Sequence, residues 1–288
     1  MKPLDRYALP SARALLNRLL VDMDVEARAM SAPRPITVQG AAGPLPARLY
    51  EPDPSAPPGP AMLFFHGGGF VFCSPETHDA LCRRLAAASG WRILSCGYRL
   101  APEYPFPAQH EDAVAAARWT LAHAQELKFD PARLAFGGDS AGAHLALWAA
   151  TDERLAGKAA LLVLLYPLLT LDDAEWSGSI VKDMRLLGRT AVAYIRRQLQ
   201  TREGAALELG PKRLARAPAA LIVSGGPLDP VRPDAHPFAE RLRAAGVAVT
   251  ERDFPGLVHG SFNLTHLSQA ARDAVAETGR TAAALLSR

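Results

Sequence analysis

Along the chain, short and mostly apolar runs alternate with longer segments in which apolar side chains return every three or four positions. The short runs are Ala61-Met62-Leu63-Phe64-Phe65, residues 92–96, Arg133-Leu134-Ala135-Phe136, Leu161-Leu162-Val163-Leu164-Leu165 and Ala220-Leu221-Ile222-Val223-Ser224. Apolar residues at successive rather than alternate positions suit strands buried on both faces. The segments Asp79 to Ala88, His110 to Leu127, Ala143 to Leu155 and His236 to Ala245 read as helices, and Val247 to Thr250 as a further strand. Strands and helices in alternation predict βαβ units. The fold class is therefore α/β, with a mostly parallel central sheet flanked by helices. No run approaches the roughly 20 residues that a membrane span needs.

Two stretches lie outside this alternation. Residues 1–45 begin with Leu15, Leu16, Leu19, Leu20 and Met23 at helical spacing. Residues 171–212 carry Trp176, Ile180, Met184, Leu187, Tyr194, Ile195 and Leu199 at loosely helical intervals between core strands. Both patterns ask for an apolar face to be covered, as a cap or as ordinary core helices. The proline-rich stretch from Pro52 to Pro60 reads as a stiff surface connector.

With 288 residues, 49% of them hydrophobic, the chain can bury one large core and is read as a single domain, 1–288. Polar and charged residues interrupt the first apolar stretch, so it is not a signal peptide. Cys73, Cys82 and Cys96 are few and odd in number, which fits reduced thiols and a cytoplasmic location. Nine lysines and arginines fall in 182–216 against three acidic residues, a local +6 within a formal total of +3. Such a run is a solvated helix face by default and a lure for an anionic substrate as the alternative. It has no aromatic-interleaved reader motif, so nucleic acid is not expected as a partner.

The chemistry concentrates in two glycine-rich stretches. Gly138-Asp139-Ser140-Ala141-Gly142 fits G-x-S-x-G between a strand-like and a helix-like run, where a serine is held on a sharp turn with its hydroxyl exposed. His66-Gly67-Gly68-Gly69-Phe70 follows an apolar run, and the amides of such a turn can converge on an oxygen that gains negative charge. No lysine follows at P-loop spacing, which argues against phosphate binding. His and Cys do not cluster at ligand spacing, and no dinucleotide fingerprint is present. No metal and no cofactor are expected.

These stretches, with Tyr98-Arg99-Leu100-Ala101-Pro102-Glu103, Pro105-Phe106-Pro107-Ala108, Leu228-Asp229-Pro230 and Gly256-Leu257-Val258-His259-Gly260, resemble the hormone-sensitive-lipase-like branch of the α/β-hydrolases, the bacterial family IV carboxylesterases. The match runs in family order from about residue 60 to the C-terminus. It departs at Ala143 (usually glycine), at Ser261 (usually phenylalanine) and at Gly226-Pro227-Leu228, where an acidic-aromatic pair is common. The resemblance implies an α/β-hydrolase fold with a helical cap built from about 1–45 and 171–212. It also implies hydrolysis of short- to medium-chain acyl esters as small-molecule substrates, and it is compatible with a homodimer. A deacetylase, lactonase or amide hydrolase of a specialised metabolite stays open, as does a hydrolase fold kept for ligand binding alone.

An elbow serine needs a base, and the base needs a carboxylate; in this fold they follow in the order Ser, acid, His. His259 sits in a glycine-bounded loop after a strand, whereas His144 lies on the serine's own helix and His236 and His266 lack that setting. Asp229 lies just past the 220–224 strand, with Asp234 as its rival one turn further on. Asp139 is on the wrong side of the turn and is assigned a bond to nearby backbone. The candidate site is therefore Ser140, His259 and Asp229, with the amides of Gly67, Gly68 and Ala141 as the oxyanion hole.

Overall fold

In the computed structural model the described residues are 3–21, 24–171, 182–201 and 208–287. Arg34–Gln39 (β1), Pro44–Tyr50 (β2), Gly59–Phe65 (β3), Arg92–Cys96 (β4), Phe129–Asp139 (β5), Leu161–Leu165 (β6), Ala220–Ser224 (β7) and Val249–Asp253 (β8) form one sheet. Its spatial order is β1-β2-β4-β3-β5-β6-β7-β8. From β4 to β8 all neighbours are parallel, while β2 runs antiparallel to both β1 and β4. The helices are Pro3–Leu20 (α1), Val25–Arg28 (α2), Asp79–Ser89 (α3), Ala108–Ala122 (α4), Ala141–Ala150 (α5), Lys182–Leu199 (α6), Pro211–Leu214 (α7), Arg232–Ala244 (α8) and Gln269–Leu286 (α9).

Every residue of β4, β6 and β7 is buried, which is why those strands read as mostly apolar runs, broken only by Arg92 and Ser95 in β4 and Ser224 at the end of β7. A strand buried on both sides needs cover on both, and two helix pairs supply it. α3 packs with α9, while α4 packs with α5 and α5 lies across β3, β5 and β6. No helix among the described residues is long and apolar enough to cross a membrane.

Residues 34–45, which the sequence reading assigned to the cap, belong instead to the sheet edge. In β2 burial alternates, with Leu45 and Ala47 buried and Pro44 and Pro46 exposed. Pro35, Pro44 and Pro46 break the look of a core strand, yet outer strands tolerate proline because their ladder is incomplete. The 52–60 connector ends by entering β3. It is pinned to the sheet: Arg92, buried in β4, donates to the carbonyls of Ala56 (2.6 Å) and Pro57 (3.0 Å).

Candidate active site

Ser140 lies between the last residue of β5 and the first of α5, with φ 52° and ψ −117°. A non-glycine residue there carries strain, which is tolerated only where the surroundings enforce it. Here they do. The Ser140 N–H donates to Leu165 O (2.9 Å) and the Leu168 N–H to Ser140 O (3.1 Å). A Cβ on Gly138 would strike Gly142 and the Phe65 carbonyl, and one on Gly142 would strike the Phe65 and His66 carbonyls. Both motif glycines are therefore needed to let β5, α5 and the end of β3 approach so closely.

Two loops beyond the parallel strands meet this turn. His259 Nε2 lies 2.9 Å from Ser140 Oγ, and its Nδ1 lies 3.0 Å from Asp229 Oδ1. Asp229 is buried and also accepts the Val231 N–H at 3.0 Å. The acid and histidine loops are bound to one another, since the Gly226 N–H donates to Leu257 O at 2.6 Å. A Cβ on Gly226 would run into the Pro255 carbonyl, which gives a reason for the sequence's departure at that point. Ser261, the other departure, closes the histidine loop: its Oγ accepts the Val258 N–H (2.9 Å) and donates to Val258 O (2.7 Å). The Tyr166 ring stands edge-on to His259, centroids 5.0 Å apart, and limits its swing.

The glycine turn differs from expectation in one respect. The Gly67 N–H is taken: it donates to Asp139 Oδ1 at 2.8 Å, so it has no free amide for an oxyanion. Gly68 and Gly69 border the pocket instead, and their amides meet no acceptor among the described residues. Gly69 was absent from the expected set because sequence gives no amide direction. Ala141 is the first residue of α5, where a backbone N–H has no intrahelical partner. Asp139 takes the backbone bond expected of it, and its carboxylate also lies 3.0 Å from His78 Nε2. Burial alone would raise that carboxyl, but the His78 ring and the Gly67 amide outweigh it and hold it below the usual range.

The other titratable candidates lie apart from this chain of contacts. His144 is buried among His110, Trp148 and Phe70, and burial, reinforced by the Arg213 cation, lowers it to about 4. His236 is on the surface beside Glu251, and Asp234 sits in the first turn of α8. His266 lies half-buried in a turn. His236, Glu240 and Glu251 form one group with metal-ligand spacing among the described residues, but Arg243 donates to both carboxylates. Cys73 borders the pocket; burial pushes its thiol up to about 12, which leaves it a poor nucleophile.

Above Ser140 and His259 opens a cavity of about 420 Å³. Its walls include Leu16 and Leu20 of α1 and Val192, Tyr194 and Ile195 of α6, facing Phe72. From the basic segment, Arg213 lies over Trp148 (3.7 Å to the ring centroid) and Arg216 donates to Thr151 O, so both secure α7 to the end of α5. Arg202, Trp176 and Ile180 lie outside the described residues. α1 is tied to the glycine turn by Arg13. Its Nε donates to Val71 O (2.7 Å), its Nη2 to Ala101 O (2.7 Å), and both terminal nitrogens reach Glu103 (2.8 and 2.9 Å).

A family model described as alpha/beta hydrolase fold matches residues 62–263. Esterase LipI of Mycobacterium tuberculosis is 36% identical over 250 residues, covering 83% of this chain and 78% of its own. An ethyl acetate hydrolase of Pseudomonas putida is 34% identical over 226 residues, covering 75% of this chain and 70% of its own. Among solved structures, a Pyrobaculum calidifontis esterase superposes with a TM-score of 0.82 at 31% identity, covering 96% of this chain and 92% of its own.

Proposed function

The chain belongs to the alpha/beta hydrolase fold family and is a carboxylic ester hydrolase, as its curated relatives are; from that premise we propose that Ser140, His259 and Asp229 carry the reaction. The observation that supports this is the unbroken line from Asp229 Oδ1 through the His259 ring to Ser140 Oγ, with contacts of 3.0 and 2.9 Å. Asp229 fixes the tautomer with Nδ1 protonated, which leaves Nε2 free to take the Ser140 proton. The serine oxygen attacks the ester carbonyl as that proton moves to His259. The amides of Gly68, Gly69 and Ala141 receive the tetrahedral oxyanion. His259 then protonates the departing alkoxide, and an acyl-enzyme remains. Water attacks it by the same route, with His259 again as base, and frees the acid.

The substrates are uncharged esters with short- to medium-chain acyl groups, bound under a cap formed by α1 and α6. The apolar walls support this. The test is a fluorophosphonate, which forms a covalent adduct on an activated serine. Expected are labelling at Ser140, dependence on His259, and a loss of at least about a thousandfold in kcat for Ser140→Ala with little change in melting temperature. Retained ester hydrolysis by a folded Ser140→Ala would refute the assignment.

A further inference from the structure

Two of the three amides assigned to the oxyanion, those of Gly68 and Gly69, lie in a run of three glycines, and no sequence is less able to hold its own shape. Gly68 and Gly69 have φ values of 103° and 61°, far from those that side chains favour. The turn is therefore shaped by what grips it from outside. Val71 and Phe72 donate back to Gly68 O (3.1 and 2.9 Å), which closes its far side. On its near side the 66–67 peptide is gripped at both ends: the Gly67 N–H donates to Asp139 Oδ1 (2.8 Å) and lies 3.3 Å from His78 Nε2, while Tyr98 Oη donates to His66 O (2.9 Å). The plane of the 66–67 peptide sets the direction in which the next amides point, so an acceptor that holds Gly67 also aims Gly68.

The Asp139 carboxylate is met from three places. Besides the Gly67 amide, His78 Nε2 lies 3.0 Å from Oδ1 and Asn263 Nδ2 lies 3.4 Å from Oδ2. Asn263 Nδ2 also lies 3.2 Å from His78 Nε2. Both Asp139 and His78 are almost fully buried, and a carboxylate so placed is stable only when donors meet its lone pairs. His78 is itself fixed by Thr77 Oγ1 at 2.9 Å from Nδ1, and that hydroxyl both accepts from Ser74 N (3.0 Å) and donates to Ser74 O (2.8 Å). Asn263 lies in the one-turn 3₁₀ helix Ser261–Asn263, which directly follows the His259 loop. Asp139 is bonded through the chain to Ser140. The turn with the amides, the turn with the nucleophile and the loop with the base thus share one buried anion.

We infer that His78 and Asn263 are positioning residues for ester hydrolysis: they hold Asp139 where it aims the amides of Gly68 and Gly69 at the tetrahedral oxyanion. Neither is hydrogen-bonded to Ser140, Asp229 or His259; both meet Asp139, His78 Nε2 also lies 3.3 Å from the Gly67 nitrogen, and both residues border the cavity, so the split between kcat and KM separates positioning from substrate contact. The inference rests on the proposed roles of those three residues. It assigns to His78 and Asn263 a contribution that grows on passing from bound ester to tetrahedral state and so falls on kcat rather than on KM.

The experiment compares His78→Leu, His78→Gln and Asn263→Ala in the full chain on p-nitrophenyl butyrate. It adds the inhibition constant of phenylboronic acid, whose boron accepts the serine oxygen and becomes a tetrahedral anion. His78→Leu should lower kcat roughly 10- to 100-fold with KM within about threefold, the scale of a displaced donor. Affinity for the boronic acid should fall in step with kcat. His78→Gln, which restores a donor, should recover most of the loss. Asn263→Ala should lower kcat severalfold, and its effect should shrink in the His78→Leu background because both act through one carboxylate. If His78→Leu does not fold, Asn263→Ala and His78→Gln decide by the same readouts. Folded variants with kcat within twofold of the parent, or with unchanged boronic acid affinity, overturn the inference. Should Ser140→Ala be inactive while these variants are fully active, only this inference fails. Should Ser140→Ala be active, the reading of the site fails beneath it.

Discussion

Lowering the pH from about 7.5 to about 5 should cost this protein roughly 4 kcal/mol of folding stability through two buried histidines, His66 and His144, with a third, His110, adding in the same direction. His66 is held down to about 3, chiefly by burial and next by the neighbouring His78 ring. His144 is held at about 4 by burial and the Arg213 cation, and His110 lies well below its ordinary value for the same reasons, with His144 adding to them. All three revert to 6.5 when the chain unfolds. Their folded values are depressed, so below 6.5 the unfolded chain binds protons that the native one refuses, and stability falls with pH until the folded value is reached. At pH 5 the gap from 6.5 is about 1.5 units. At about 1.4 kcal/mol per unit that is about 2 kcal/mol for each of His66 and His144, whose folded values lie below 5. The sum, about 4 kcal/mol, is a large fraction of the stability of many domains.

Depressed carboxylates act only in a lower window. Asp24, at about 2 against 3.8, loses its contribution below about pH 4. The interval from pH 6.5 to 5 therefore isolates the histidines. Urea titrations at half-unit steps give the slope. His110→Phe gives the control, because both His110 ring nitrogens lack partners among the described residues and the ring already lies among Phe70, Phe106 and Trp148. Phenylalanine should be tolerated at neutral pH and should flatten the acid slope. A flat stability curve between pH 6.5 and 5, or a slope unmoved by His110→Phe, would refute the reasoning.

Asp229→Asn should leave the fold intact and lower kcat by about ten-thousandfold, the cost of the wrong imidazole tautomer in the serine protease template; a loss below about tenfold would point to another acid. Gly142→Ala should destabilise by more than about 3 kcal/mol in chemical denaturation, because its new methyl meets the Phe65 carbonyl rather than a side chain that could turn aside. Ile195→Trp, filling the cavity above Gly69, should lower the rate on p-nitrophenyl decanoate relative to acetate by about tenfold or more. An unchanged ratio would place the acyl chain elsewhere.

What sequence could and could not supply follows from where the information resides. β4, β6 and β7 were legible to the residue because both their faces are buried and most of their positions are apolar. The elbow was legible because only glycine fits at 138 and 142. β1 and β2 were missed: at the sheet edge only alternate residues are buried, and the prolines look like loop. The strand at 133–136 proved longer, starting at Phe129 after a positive-φ Lys128 that no propensity announces. Gly67 was taken for an oxyanion donor because a motif names residues and not the direction of an N–H. His78 went unnoticed since its partner, Asp139, lies far along the chain and only the fold unites them.

Arg13 has a consequence for breadth of diet. The wall opposite the nucleophile is lent by a helix whose grip on the body includes one guanidinium, spread over two carbonyls and one carboxylate. Arg13 itself is not among the residues that border the cavity, although Leu16 and Leu20 of the same helix are. Loosening that clasp should admit bulkier esters before it slows the ones already accepted, which makes position 13 a dial for altering selectivity while leaving the reacting groups alone.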